Sequence, residues 1–379
     1  MRRSSQRLLI VVALIPFFAL LGNRDEEPQT PAPIVAAPAS QTTVTADISS
    51  HQSSVDFKLP YLPRSVINTK EIPNHVLKAD AADSEPLPYY EIARDTFMFY
   101  GSIALTDEDN RGWNGNAGFV ITNEGVVVID SLGTPKLGER MIATIRSLTE
   151  QPIRYLIITH NHPDHSYGSV AFARLEGVTI IGHEGTIDYL ESDLIDHSVN
   201  YRRELLPKDM AGFSPITPDI LIGGETFSSK TIELGGEQFN IYNVDRHHSF
   251  GDLVVEQVNE KVIWISDLAF NQRTTYMADG SSEKSVRGQV WLLEKFADAK
   301  LMVPGHGSAQ TAPFPMVSKT LVYMQRLRTL MSNAIENDID MQEAIESADF
   351  KDWQETRLYE ENQGSNAHFV YREMEEELF

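Results

Sequence analysis

Short apolar runs recur through the middle of this chain, and their period changes as the chain proceeds. Phe97-Met98-Phe99-Tyr100 reads as a strand, and residues 117–122 and 125–130 alternate on either side of Asn123-Glu124, which predicts a hairpin. Residues 137–148 carry apolar positions at helical spacing. A buried strand is expected over 155–159, a helix over 170–175 and another strand over 178–182. Residues 238–244, 253–258, 262–266 and 301–303 are strand-like again. Beyond them, 317–335 and 341–347 take helical periodicity, and the acidic tail 369–379 reads as helix. Strands separated by helices predict a mixed α/β fold with a helical C-terminal extension.

The start of the chain lacks this rhythm. Arg2, Arg3 and Arg7 precede an apolar run from Leu8 to Gly22, the pattern of an export signal. The run has 15 residues, short of the roughly 17 that span a bilayer. Residues 1–23 are therefore expected to be a signal peptide or a short signal-anchor. Residues 24–87 read as a linker rich in Pro, Ala, Thr, Ser and Gln, followed by an irregular lead-in. The expected organisation is then a catalytic region over 88–310 and helices over 311–379, in a protein exported to the periplasm or beyond.

Composition narrows the chemistry. Of 379 residues, 41% are hydrophobic and 23% charged, a globular balance. The net charge of −22 repels phosphate backbones and anionic lipid heads, so nucleic acid is not an expected partner. Membrane contact is expected only through the N-terminal segment. There is no cysteine, which excludes disulfides, thiolate ligands and a Cys nucleophile together. A zinc site would have to use His and carboxylate donors, as catalytic zinc commonly does.

Such donors follow the strand expected at 155–159, in His160-Asn161-His162-Pro163-Asp164-His165. Three of the chain's 11 histidines fall within these six residues, which argues against a polar loop with chance histidines. Imidazole nitrogen and carboxylate oxygen suit zinc, although iron and manganese accept the same set. Three later segments carry further donors: His248-Ser249-Phe250-Gly251-Asp252, Ile265-Ser266-Asp267-Leu268 and Val303-Pro304-Gly305-His306-Gly307.

In this order the four segments resemble the metallo-β-lactamase superfamily over residues 88 to 310, with Ser266 where the family has Gly. The resemblance implies an αββα four-layer sandwich and a site for two divalent metal ions, with zinc expected. Carried over by motif position, His160, His162 and His248 hold one metal and Asp164, His165 and His306 the second, with Asp267 bridging. His248 rather than His247 fits the turn pattern. His183 is expected to have a hydrogen-bonded structural role, and His51, His75, His197 and His368 carry no ligand signal. Asp130 reads either as a support for the metal loop or as a turn-forming residue before Gly133; the two are compatible.

The implied function is a hydrolase whose metal-bridging hydroxide attacks the acyl carbonyl of a small ester, thioester, lactone or β-lactam. Asp164 orients the nucleophile and passes its proton on. The absence of Cys and the presence of Asp267 make the ligand set similar to that of glyoxalase II and lactonases. Softer motifs resemble the exported quinoprotein relay system zinc metallohydrolases, or SoxH-like proteins: Gly168-Ser169-Val170-Ala171-Phe172, Trp291-Leu292 and Asn366-Ala367-His368-Phe369 with Tyr371 and Glu375. The alternatives are a β-lactamase proper and a non-catalytic metal-binding relative. Trp113, Asn116, Arg273 and Tyr276 stand in loops near the expected pocket, where an aromatic or Arg is often only surface.

Overall fold

A computed structural model of the chain describes residues 86–378 apart from Ala278. The expected export segment and nearly all of the linker lie outside these residues. The first sheet runs in sequence order: β1 (Tyr90–Ala93), β2 (Thr96–Phe99), β3 (Ala117–Ile121), β4 (Val126–Ile129), β5 (Ile153–Ile157), β6 (Thr179–His183) and β7 (Ile220–Ile222). The second contains β8 (Ser229–Leu234), β9 (Glu237–Asn243), β10 (Leu253–Gln257), β11 (Val262–Ser266) and β12 (Leu301–Pro304), ordered β12-β11-β10-β9-β8. The expected hairpin is the antiparallel β3–β4 pair, whereas the pairs β4–β5, β5–β6 and β6–β7 are parallel.

The side-chain period of two decides which layer each residue enters. In β4, Val126 and Val128 face one way and Val127 and Ile129 the other, all four buried. The first pair packs on α1 (Pro135–Leu148) through Leu137, Met141 and Ile145. The second pair meets Phe239, Ile241, Val255 and Trp264 between the sheets. Fully burying one such side chain stabilises the fold by about 1.5–3 kcal/mol. Thr134 caps α1 by accepting from the Leu137 N–H, and Pro135 starts the helix where no N–H is needed.

The metal-loop motif runs into α2 (Pro163–Ser166), followed closely by α3 (Ser169–Phe172). Then α4 (Gly185–Glu191) and α5 (Asp193–Leu205) cover one side of the metal loop around Tyr167, Tyr189 and Val199. The outer face of the second sheet packs on α6 (Ser282–Lys295) and the start of α7 (Pro315–Glu336). The result is helix, sheet, sheet, helix. The rest of α7, with α8 (Met341–Ser347) and α9 (Tyr359–Leu378), forms a further core around Tyr323, Leu327, Trp353 and Val370.

Several expectations missed the observed bounds. α3 ends at Phe172 rather than 175, and α9 begins at Tyr359 rather than 369. The whole of α6 lacks the apolar rhythm of a buried helix. Its inner face is Ser282, Ser285, Gly288, Gln289 and Leu292, because a β-carbon at Gly288 would stand 2.4 Å from the His247 ring.

Candidate metal centre

Every donor segment ends or begins a strand at one edge of the sandwich. Ile157 closes β5 three residues before His160, Ser266 and Pro304 close the parallel pair β11 and β12, and His248 precedes β10, antiparallel to β11. His160, His162, His248 and Asp267 place one donor atom each within 4.8 Å of one another, and so do Asp164, His165 and His306. Asp267 faces both groups. Its Oδ2 lies 3.1 Å from His248 Nε2, 3.6 Å from His160 Nε2 and 3.3 Å from His306 Nε2, while its Oδ1 lies 3.3 Å from His165 Nε2. Asp164 Oδ2 stands 3.4 Å from His306 Nε2 and 3.9 Å from His165 Nε2.

Gly305 is what lets these atoms meet. A β-carbon there would sit 1.9 Å from Asp267 Oδ1 and 2.9 Å from His165 Cε1. Ser266, just before Asp267, adopts a left-handed φ of 46°, which explains why glycine would be the easier residue at that turn.

The outer nitrogens of His160, His162, His165 and His306 are occupied, which fixes the inner ones toward the cluster. His165 Nδ1 bonds Asp130 at 2.9 Å, and the same carboxylate accepts from the Thr159 N–H and hydroxyl. The expected supporting role of Asp130 is therefore visible in its contacts. His160 Nδ1 meets Thr159 Oγ1 at 3.1 Å and Ser266 Oγ at 3.3 Å. His306 Nδ1 lies 2.6 Å from the Asn114 carbonyl oxygen. His162 is turned the other way: Nε2 bonds Asp279 at 2.9 Å, so Nδ1 faces His248 Nε2 at 3.0 Å.

Three of the inward atoms lack partners. His160 Nε2, His165 Nε2 and Asp267 Oδ1 are buried without a hydrogen bond, a cost of about 1–3 kcal/mol each unless something binds there. The charges agree. Burial by itself raises the pKa of Asp267, yet His306, His165, His160 and His248 outweigh it and hold the carboxyl well below the usual range. Asp164 is depressed in the same way, against burial, by His165, His306 and Arg202. Buried carboxylates held ionised by a ring of imidazoles call for positive charge at the centre, and the same imidazoles, once deprotonated, offer lone pairs to divalent cations, so the donor set fits two metal ions.

The remaining candidates separate cleanly. His247 is buried beside Gly288 and Gln289, and burial lowers its pKa to about 4; it belongs to neither donor group. His183 bonds Asn243 Oδ1 at 2.8 Å and accepts from the Gly185 N–H. Ser249 serves the turn, donating to Asp252 at 2.9 Å. Asn116 ties the Pro304 and Gly307 carbonyls together, and Trp113 is buried. Two residues at the centre carried no signal in the sequence. Asp279 precedes Gly280 and reads as a turn, and Asn114, which donates to Asp164 Oδ2 at 2.8 Å, stands in a polar loop.

Residues 110–306, more than half of the chain, match the family described as the metallo-beta-lactamase superfamily. No curated protein matches the chain. Among solved structures it is similar to a metallo-beta-lactamase from Pontibacter korlensis, with 20% identity and a TM-score of 0.48 over 63% of this chain and 98% of that one. It is also similar to a stereoselective inverting sec-alkylsulfatase from Pseudomonas sp., with 15% identity and a TM-score of 0.60. That match covers 75% of this chain and 49% of the alkylsulfatase, about half its length. At such identities the likeness is one of fold.

Proposed function

Because the chain belongs to the metallo-β-lactamase superfamily, we propose that it is an exported dinuclear metal-dependent hydrolase of a small ester, thioester, lactone or β-lactam. The observation that carries this reading is Asp267, whose carboxylate faces both donor groups. His160, His162 and His248 would hold one ion and Asp164, His165 and His306 the other, with Asp267 shared. Two divalent ions so held supply a water nucleophile at neutral pH and polarise the attacked carbonyl.

The chain's own residues do the rest. Thr159 and Asp130 fix the imidazoles of His160 and His165 from behind, and Asp279 does so for His162. Asn114 holds one oxygen of Asp164, and this carboxylate takes the proton of the attacking water and returns it to the leaving group. Phe270, edge-on to both His248 and His306, keeps that flank dry.

The shared carboxylate and the absence of Cys favour a glyoxalase II-like set over a Cys-ligand β-lactamase, and the softer motifs favour a SoxH-like relative. Zinc suits the donors, and the N-terminal signal pattern supports an exported location. The charge of −22 speaks against a nuclease. The test is metal analysis with a hydrolysis panel of thioester, lactone, cephalosporin, phosphodiester and alkyl sulfate, with His162→Ala and Asp267→Ala as controls. About two ions per chain and turnover of an acyl compound, lost in both variants, are expected. Fewer than about one ion per chain and an inert panel would leave the non-catalytic metal-binding alternative.

A further inference from the structure

A cavity lies beside the metal loop, between the end of β5, β6 and the helices α4 and α5, and none of the seven donors lines it. Ile158, Ile180, Ile195 and Phe213 form its walls. Its volume is about 30 Å³, room for two or three water-sized groups. Pro215 is exposed and Leu190 half-buried, so the cavity opens on that side. Among the described residues no charged side chain lines it.

Three buried polar atoms on this lining have no partner. They are Nδ2 and Oδ1 of Asn161 and the Thr186 hydroxyl, on residues 2% and 8% exposed. Neighbouring polar groups are already committed. Ser166 donates to the Asn161 and His162 carbonyls, and the Tyr167 hydroxyl donates to Ser198 and meets that of Tyr189. An Asn kept for the shape of its loop uses its amide on nearby backbone, as Asn116 does on the Pro304 and Gly307 carbonyls. The Asn161 amide holds nothing in the described chain, and each atom left so costs about 1–3 kcal/mol unless something binds there.

The lining also says what would bind. A charged ligand would find no counter-charge here. Buried waters take about two to four polar partners each, more than Asn161 and Thr186 supply, and would face the isoleucines and Phe213. A carboxamide offers N–H donors and a carbonyl side by side, so it is complementary to another carboxamide edge to edge. We propose that the cavity is a second ligand site, for a small neutral amide that pairs with Asn161 and turns its short apolar end to the mouth. Asn161 stands between His160 and His162, two donors of one group, so a filled site restrains the loop that carries them. Filling it does not depend on which bond the metal centre cleaves.

The test is an NMR titration of the zinc-loaded protein with acetamide and with acetone, its isostere without N–H donors. Acetamide should shift the Asn161 side-chain amide and the Ile158 and Ile195 methyl signals saturably, with a midpoint on the order of millimolar. Acetone should bind at least about fivefold more weakly. The methyl shifts should vanish in Asn161→Leu, close to Asn in shape, and the midpoint should rise about threefold in Thr186→Val. Saturating acetamide should slow zinc release to a chelator by about threefold, in the unaltered protein only.

Equal binding of the two probes, or methyl shifts that persist in Asn161→Leu, would overturn the site. So would water cross-peaks at the Asn161 amide that acetamide leaves in place, because the cavity would then hold ordered water only. Unchanged zinc release at saturation would overturn the restraint on the loop. If Asn161→Leu does not fold, the acetone comparison and Thr186→Val decide.

Discussion

The two-sheet sandwich and the C-terminal helices each bury a core of their own, yet they relate to the metal centre in opposite ways. All seven candidate donors stand at the sandwich edge, Asp164 and His165 on the short α2 and the others on loops, and none comes from the helices beyond β12. What those helices contribute is restraint on the backbone of one loop. Asn362 Nδ2 donates to the Thr274 carbonyl at 3.0 Å, Asn366 Nδ2 donates to the Thr275 carbonyl at 2.8 Å, and Asn366 Oδ1 accepts from the Met277 N–H at 3.0 Å. Arg357 pairs with the backbone on either side of Arg273, and Glu373 accepts from Ser281 and the Ser282 N–H at the start of α6. The sandwich supplies the atoms of the centre, and the helices fix residues 272–277 of the loop beside it. A region without a single reactive group can therefore decide how a site is used.

Substitutions can break this division. The largest effect is expected from Gly305→Ala in the sandwich, whose methyl would displace the Asp267 carboxylate. Metal content should fall by about one ion per chain and activity to background, while overpacking destabilises the fold by about 1–3 kcal/mol. Metal analysis beside thermal melting separates the two. Asn366→Ala should act in the other sense. It leaves the buried Met277 N–H without its partner and the Thr275 carbonyl with only the longer 3.4 Å bond from Asn362 Nδ2, so unfolding stability should drop by about 1–3 kcal/mol. Bound metal should stay unchanged while kcat/KM falls. Loss of metal in that variant would show that the helices reach the donors and would end the contrast.

The smallest effect concerns the pair Asp245–Lys284, 2.7 Å apart and a third exposed. Burial raises the Asp245 pKa, but the Lys284 hydrogen bond and the Arg246 N–H outweigh it, so the folded value lies below the ordinary one. Such a group stabilises the fold above its unfolded pKa, near 4, and the contribution is lost as pH falls through the folded value. Lys284→Ala should therefore cost no more than about 1 kcal/mol at pH 7. The cost should disappear in acid melts below about pH 3. A constant penalty across that range would mean that Lys284 acts through packing instead.

What could be read in the chain follows the same division. Strands such as β4 and β10 declare themselves because their side chains enter two apolar layers, and the donors because six residues carry four potential ligands. Asp130 was legible as a turn or a support, since a carboxylate closing a strand suits both. By contrast, α6 hides behind a small and polar inner face dictated by the His247 ring. Asn114 and Asp279 act on partners 50 and 117 residues away, and a lone polar residue in a loop says nothing about so distant a contact; Asn366 was quoted in a motif, but its bond to Met277, 89 residues away, was not legible there. Arg273 was noticed but resembled any surface arginine until its burial was known.

The donors hang beyond the strand ends, so chain may be altered between β11 and α6 without touching the apolar layers that hold the sheets together. In evolutionary terms, the half-buried Tyr276 of this loop is cheaper to vary than Asp279, which holds His162, or Met277, which lies in the helical core. Lineages with this architecture can exchange one substrate preference for another while inheriting the same metal chemistry intact.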